Sequence, residues 1–489
     1  MAHVRLLALL LFTALLSGRQ VSAAEPGVST VTQAHALGRI REAWTPTPRL
    51  SELPIGVFDS GTGGLAVLEE TLRLDAFDNR TGEPRPEGDG QPDFARERFV
   101  FLADQANMPY GNYAAAGRAP FLRELVLCDA AFLLSSAYFR QPADAAPAHD
   151  RRPVKALAIA CNTATAYGRG AVEALVARTQ LPVVVLGVID AGAEGVVDLV
   201  DGPASIGVLA TQGTVASGAY PAAIAAAARQ RGGVGPLRVF QQGTLGLAGA
   251  IDGAAEFVAP DAQTPRADYR GPSLTNPSAR IERELLPRYG FDFSDHRMLV
   301  AGDPQQAREM QLNAVENYVA YDVTRLVETL RAQPDAPPLA AVVLGCTHFP
   351  YVAERIAAKL RALRDYQEQG RYVYRNCLRE KIALVDPARY MACKLFQRLA
   401  NGTLRAERAA FTVAQTRGEF FLTVGWPAPF SYDYKYGRGA GYTGADVRTV
   451  PLTPARLDAS TAERLRQRVP HTWRLLDEFS LHSAKCQQP

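Results

Sequence analysis

Short apolar runs alternate with stretches of helical periodicity along most of the chain. Residues 55–58 form a strand-like run that ends in a glycine-rich turn. Residues 99–102, 154–160, 183–188, 206–210, 341–344 and 382–385 have the same character. Strands of near-continuous apolar composition are buried on both faces, and helical patterns lie between most of them. This alternation predicts an α/β fold with a mostly parallel sheet covered by helices.

Several segments break the pattern. Residues 75–97, 140–153, 250–315 and 419–443 read as insertions, and 250–315 is long enough to add a subdomain. The stretch 419–443 is dense in Phe, Tyr and Gly, and is expected to be an edge strand and loop packed on the core rather than a ligand platform. Residues 24–50 form a leader without clear periodicity. Residues 455–480 read as one basic amphipathic helix whose charges form a solvated face.

The first residues carry a different signal. Arg5 precedes an apolar run over residues 6–16, and a polar stretch then ends in Val21-Ser-Ala-Ala24. A basic start, a short apolar centre and an A-x-A-like end describe a secretory signal peptide over residues 1–23, whose apolar run over 6–16 is too short to span a bilayer comfortably. The expected location of the mature protein is therefore exported, periplasmic or secreted, and soluble after cleavage. A net charge of +3 with both signs interspersed gives no reason to expect nucleic acid or an acidic membrane surface as a partner.

Export makes the six cysteines informative, since an exported chain normally pairs them. Their spacing is irregular, with no C-x-x-C, and the seven histidines form no H-E-x-x-H, so no metal is expected. Two cysteines stand in matching frames. Val154-Lys-Ala-Leu-Ala-Ile-Ala160 runs into Cys161-Asn162-Thr163, and Leu339-Ala-Ala-Val-Val-Leu-Gly345 runs into Cys346-Thr347-His348. Each is an apolar strand, a small residue, a Cys and two polar residues. After the second, Val352, Ile356, Leu360 and Leu363 repeat at helical spacing; after the first, Gly168 and Gly170 dilute the helical pattern. Ligands collect at the carboxyl ends of strands in such sheets. Helix N-termini there favour a thiolate. A disulfide between the two cysteines is the alternative reading. Asn162, Thr163 and Thr347 would equally suit helix capping, and His348 alone would suit packing.

Asp59-Ser60-Gly61-Thr62-Gly63-Gly64 follows the first strand. Successive glycines allow backbone N–H groups to converge on an anion. The stretch lacks the Lys of a P-loop and the G-x-G-x-x-G spacing, so a small carboxylate suits it better than a nucleotide.

These residues together resemble the glutamate racemase family, within the wider aspartate/glutamate racemase group. Ile55-Gly-Val-Phe-Asp-Ser-Gly-Thr-Gly-Gly-Leu65 is similar to its opening motif, and Asp104-Gln-Ala-Asn-Met-Pro-Tyr-Gly111 to its D-x-A-x-x-P-Y-G segment. Ala160-Cys-Asn-Thr-Ala164 and Leu344-Gly-Cys-Thr-His348 resemble its two cysteine motifs, and residues 206–220 another block. The resemblance covers about residues 53–452 in pieces.

The resemblance implies two pseudo-symmetric lobes, each a mostly parallel sheet flanked by helices, with the site in the cleft between them. Lobe A would comprise residues 51–186 with 350–452 returning to it. Lobe B would comprise 187–349, with the insertion at about 250–315, and 453–489 would be a C-terminal extension. It implies a cofactor-independent racemase in which Cys161 and Cys346 exchange a proton on opposite faces of an acidic amino acid. Asp59 and His348 would assist the thiols. Asp59, Ser60, Asn162, Thr163, Thr347 and His348 would hold the substrate, with Tyr110 and Gly111 lining the same pocket. Homodimers are common in that family, and a homodimer is one expected state.

One departure stands out. Where the family carries a Glu in a V-E-x-G-like segment, this chain has Val239-Phe-Gln-Gln-Gly243, with Gln241 and Gln242. That substitution opens the alternatives of an aspartate racemase-like enzyme or a dicarboxylate isomerase. Export opens a third, an amino-acid-binding protein on a racemase scaffold.

Overall fold

The computed structural model describes residues 28–45, 48–304, 306–401, 404–406 and 417–486. The signal peptide expected over residues 1–23 lies outside them. No helix among the described residues is long and apolar enough to cross a membrane.

The strands follow one another as β1 (Ile55–Asp59), β2 (Phe99–Ala103), β3 (Ala156–Ile159), β4 (Val184–Gly187), β5 (Ala204–Thr211) and β6 (Leu237–Thr244). A small hairpin of β7 (Met298–Val300) and β8 (Met310–Leu312) comes next, then β9 (Leu339–Gly345). A second hairpin, β10 (Gln367–Glu368) and β11 (Arg371–Tyr372), leads to β12 (Leu378–Val385), β13 (Gly418–Gly425) and β14 (Val447–Pro451). The main strands form two sheets, ordered β14-β13-β2-β1-β3-β4 and β12-β9-β5-β6. Every pairing in them is parallel except that of β13 with β14. All seven runs read as strands from the sequence are strands, and helices flank both sheets.

The helix Asn162–Thr179 is longer and firmer than its glycines suggest. Gly168 is a packing residue: a Cβ there would lie 2.4 Å from Val126 Cγ1 on the helix Ala119–Leu134. The missing side chain lets the two helices approach closely. Ala119–Leu134 is buried nearly all round, which suits a helix between a sheet and a second helical layer.

Three expectations are corrected. Residues 30–43 of the leader form the helix Thr30–Ala43, capped by Ser29, whose Oγ accepts the Thr32 N–H at 3.1 Å. Its buried stripe is Thr32, Ala36 and Ile40, too small and too polar to register as an apolar face. Strand β13 is interior, since it pairs with β2 on one side and β14 on the other, leaving β14 at the edge. The tail is two helices, Ala459–Arg468 and Pro470–His482, because Pro470 has no N–H with which to continue the first.

Candidate active site

Strands β1, β3 and β9 deliver their carboxyl ends to one cavity of about 440 Å³, and every candidate site residue lines it. Asp59 is the last residue of β1, Cys161 follows β3, and Cys346 follows β9. The cavity therefore draws one cysteine from each sheet. Both are free thiols, so the disulfide alternative does not hold in this structure.

The Cys161 side is built by a cap and a turn. Cys161 is itself the N-cap of the helix Asn162–Thr179, its Sγ accepting the Ala164 N–H at 3.4 Å. Its thiol faces Ser60 Oγ at 3.7 Å. Asn162 and Thr163 thus lie inside the first turn and are not the cap. Asn162 Oδ1 accepts from the Tyr220 hydroxyl at 2.7 Å. Thr163 Oγ1 lies 3.1 Å from both Thr211 Oγ1 and Thr214 Oγ1.

The glycine-rich loop works differently from an open anion cradle. It folds into a short turn at Thr62–Gly64, and the Gly64 N–H donates to Asp59 Oδ2 at 2.7 Å. That donor serves the aspartate rather than a ligand. Gly63 has a steric role: a Cβ there would lie 2.6 Å from His348 Cε1 and 2.7 Å from Thr347 Oγ1. The first motif thereby packs directly on the last.

Burial pushes the Asp59 carboxyl up, while the charge of His348, the Gly64 and Ser60 N–H groups and the Cys161 thiol pull it back. Burial, and after it the charge of Asp59, push the Cys161 thiol up. Both effects favour the protonated forms on this side.

The Cys346 side is a relay. Cys346 Sγ lies 3.6 Å from His348 Nδ1, and His348 Nε2 lies 2.9 Å from Asp252 Oδ2. Asp252 Oδ1 in turn pairs with Arg464 Nη2 at 3.0 Å. Burial alone would lower His348, but the charge and hydrogen bond of Asp252, with the Cys346 contact, hold it well above its ordinary value. Burial would raise Asp252, but His348 and Arg464 keep it below the usual carboxylate range. These partners favour the protonated imidazole, with one N–H toward a carboxylate and the other toward sulfur. Thr347 precedes the turn Phe349–Val352 but is not its cap, since His348 occupies that place.

Tyr110 lines the cavity with its ring, while its hydroxyl lies between Asp104 and Asp129, 2.7 Å from Asp129 Oδ2. A phenol has one proton, so one of these carboxyls must supply the other. Asp104 also accepts from Thr423 and Asn107, and burial pushes its carboxyl up. Burial and the neighbouring charge of Asp104 push Asp129 well above its ordinary value. Gly111 faces Thr211, whose Cβ would lie 3.4 Å from an added methyl.

Asp252 and Arg464 escaped the sequence reading. Each sits in a segment without a motif, and their partners are 96 and 212 residues away in the chain. Arg464 also corrects the expectation of a wholly solvated tail. Gln241 and Gln242 lie on β6, are not among the lining residues, and Gln242 Nε2 donates to Asp322 Oδ1 at 3.2 Å. The carboxylate beside His348 is that of Asp252, from a different segment. The aromatic stretch 419–443, expected only to pack on the core, supplies part of the wall through Tyr432, Lys435 and Tyr436. At the mouth Arg270 stacks over the Tyr432 ring at 4.5 Å, joining two inserted segments. Among the described residues no group of three or more His, Cys, Asp or Glu is placed to hold a metal ion.

No family model matches the chain. Individual proteins do. A glutamate racemase of Levilactobacillus brevis is 38% identical over 176 residues, which is 36% of this chain and 48% of that protein. A glutamate racemase of Limosilactobacillus fermentum is 36% identical over 171 residues, 35% of this chain and 47% of that protein. The matches thus span about half the length of these curated relatives. Among solved structures, a glutamate racemase from Bacillus anthracis aligns over 76% of this chain and 87% of its own, at 19% identity and a TM-score of 0.42. Over about a third of its length this chain carries glutamate racemase-like sequence, in agreement with the family that its motifs resemble.

Proposed function

We propose that this protein is a cofactor-independent racemase interconverting L- and D-glutamate, with Cys161 and Cys346 as the two proton-transfer groups. One observation carries the reading: two free, buried thiols line one cavity, each with its own proton-handling partner. Inverting a stereocentre by proton transfer needs an acid/base group on each face. In one direction Cys346, beside the His348 imidazolium, acts as a thiolate and takes the α-proton. Cys161, held as a thiol, gives its proton to the opposite face, and the C–H bond broken on one side is replaced on the other. In the reverse direction Cys161 removes the proton, with Asp59 as its partner, and Cys346 delivers one. Ser60, Asn162, Thr163 and Thr347 hold the amino and carboxylate groups. The α-proton is weakly acidic, so exclusion of water between the two sheets aids its removal. Glutamate is favoured over other acidic amino acids by the identity of the relatives.

The test is incubation with L- or D-glutamate in deuterated water under reducing conditions. Formation of the opposite isomer with deuterium at Cα is expected, and Cys161→Ser or Cys346→Ser should each lower kcat by about 10²- to 10⁴-fold. Neither isomerisation nor α-deuterium across the acidic amino acids would sink the proposal; faster turnover of aspartate would overturn the choice of substrate. Export is proposed on the N-terminal pattern alone. N-terminal sequencing of protein recovered outside the cytoplasm should begin near residue 24, and an intact cytoplasmic chain would refute it.

A further inference from the structure

A second cavity, of about 320 Å³, lies behind the first. The two share a wall: Asp104 lines the second, and the Tyr110 hydroxyl bridging Asp104 to Asp129 belongs to a residue lining the first. The outer wall is made by parts that surround the racemase motifs rather than contain them. His35 and Arg39 come from the helix Thr30–Ala43, and Tyr442 and Arg448 from the segment around β14.

The chemistry of this lining is divided. Leu102, Leu125, Phe132, Phe139 and Tyr442 give it an apolar body. Arg39 and Arg448 add two guanidinium groups to the lining. Arg39 Nε and Arg448 Nε are both buried, and neither has a hydrogen-bond partner. A buried donor without an acceptor is costly, more so on a charged group, so two on one cavity mark a missing acceptor. Arg448 is fixed in place by stacking on Phe139, 4.0 Å from the ring centroid. Burial pushes the carboxyls of Asp104 and Asp129 at the back both upward, which weakens their opposition to an anion.

We propose that this cavity binds a small carboxylate with an apolar or aromatic body, its carboxylate received by Arg39 and Arg448 and its body by the apolar wall. The planar, forked guanidinium matches a carboxylate in geometry as well as charge. This inference is independent of the racemase reading, since the site shares no thiol with it.

Calorimetric titration of the full chain with phenylacetate tests it, with phenylacetamide as the uncharged analogue and inorganic phosphate as an anion without an apolar body. Saturable binding of phenylacetate is expected, with affinity about tenfold or more weaker for phenylacetamide and for phosphate. Arg39→Met and Arg448→Met should each weaken phenylacetate by a similar factor while circular dichroism and Tm show a folded chain. Hydrogen exchange provides a readout that needs no variant: phenylacetate should slow exchange in residues 35–44 and 442–449. No saturable binding, equal binding of the amide, or protection confined to segments lining the thiol cavity would each overturn the proposal.

Discussion

His348 decides the charge of one half of the site, and Asp252 decides His348. The imidazole is buried and would be neutral there on its own; a carboxylate 2.9 Å away reverses that. Replacing Asp252 with Asn removes the charge and keeps the shape. His348 should then lose its proton at a lower pH, and the alkaline limb of the kcat/KM profile should move to lower pH, with kcat down about tenfold or more. An unchanged profile would show that the pair is only structural. The same variant reads out in stability. The raised His348 contributes stability fully below its ordinary value of 6.5, which is lost as pH climbs through its folded value. The lowered Asp252 contributes fully above its ordinary value of 3.8, which is lost as pH falls through its folded value. The penalty for Asp252→Asn should therefore be largest between those two ordinary values, about 2 kcal/mol for a pair that keeps some exposure. It should shrink on the alkaline side to what the Arg464 pair alone contributes, and Tm measured across pH checks this.

The helix Asn162–Thr179 shows why composition misleads at the level of an element. Its two mid-helix glycines have opposite meanings. A methyl at Gly168 would meet Val126 at 2.4 Å, an overpacking cost of roughly 1–3 kcal/mol that exceeds the gain of about 1 kcal/mol in helix propensity. Gly170 is exposed, so only the propensity term acts there. Urea denaturation should find Gly168→Ala destabilised and Gly170→Ala stabilised by up to about 1 kcal/mol; the same sign for both would contradict the close packing. The strands were legible because an apolar run needs no partner to be recognised. The helix Thr30–Ala43 was not, because its buried stripe of Thr32, Ala36 and Ile40 earns burial through what it meets: Thr32 donates to Glu124 at 2.8 Å, 92 residues away. Strand β13 was seen as a strand but placed at the edge, since sheet order is a property of pairing rather than of the run itself. Motif residues such as Cys161 and His348 announced themselves by local frame. Asp252 has no frame, and only folding brings it to the imidazole.

Across the whole molecule, the last residues are bound into the first ones. Glu69, from the helix Leu65–Arg73, accepts the N–H and hydroxyl of Thr472 at 2.8 and 2.9 Å, which anchors the start of the helix Pro470–His482. Phe479 of that helix packs on Phe420 and Phe421 of β13. The preceding helix carries Arg464 to Asp252. Arg464→Ala should therefore lower kcat by about tenfold although Arg464 is not among the residues lining the thiol cavity. Arg464→Lys should recover part of the loss, and equal kcat in all three proteins would separate the tail from the site. This arrangement has a consequence for how the protein is made. A polypeptide is released from the ribosome in order, and a nascent chain can own both thiols, the glycine turn and His348 while residue 464 is still to be added. Such a chain lacks the guanidinium on Asp252, so the ion pairs behind Cys346 are complete only once residue 464 has been added.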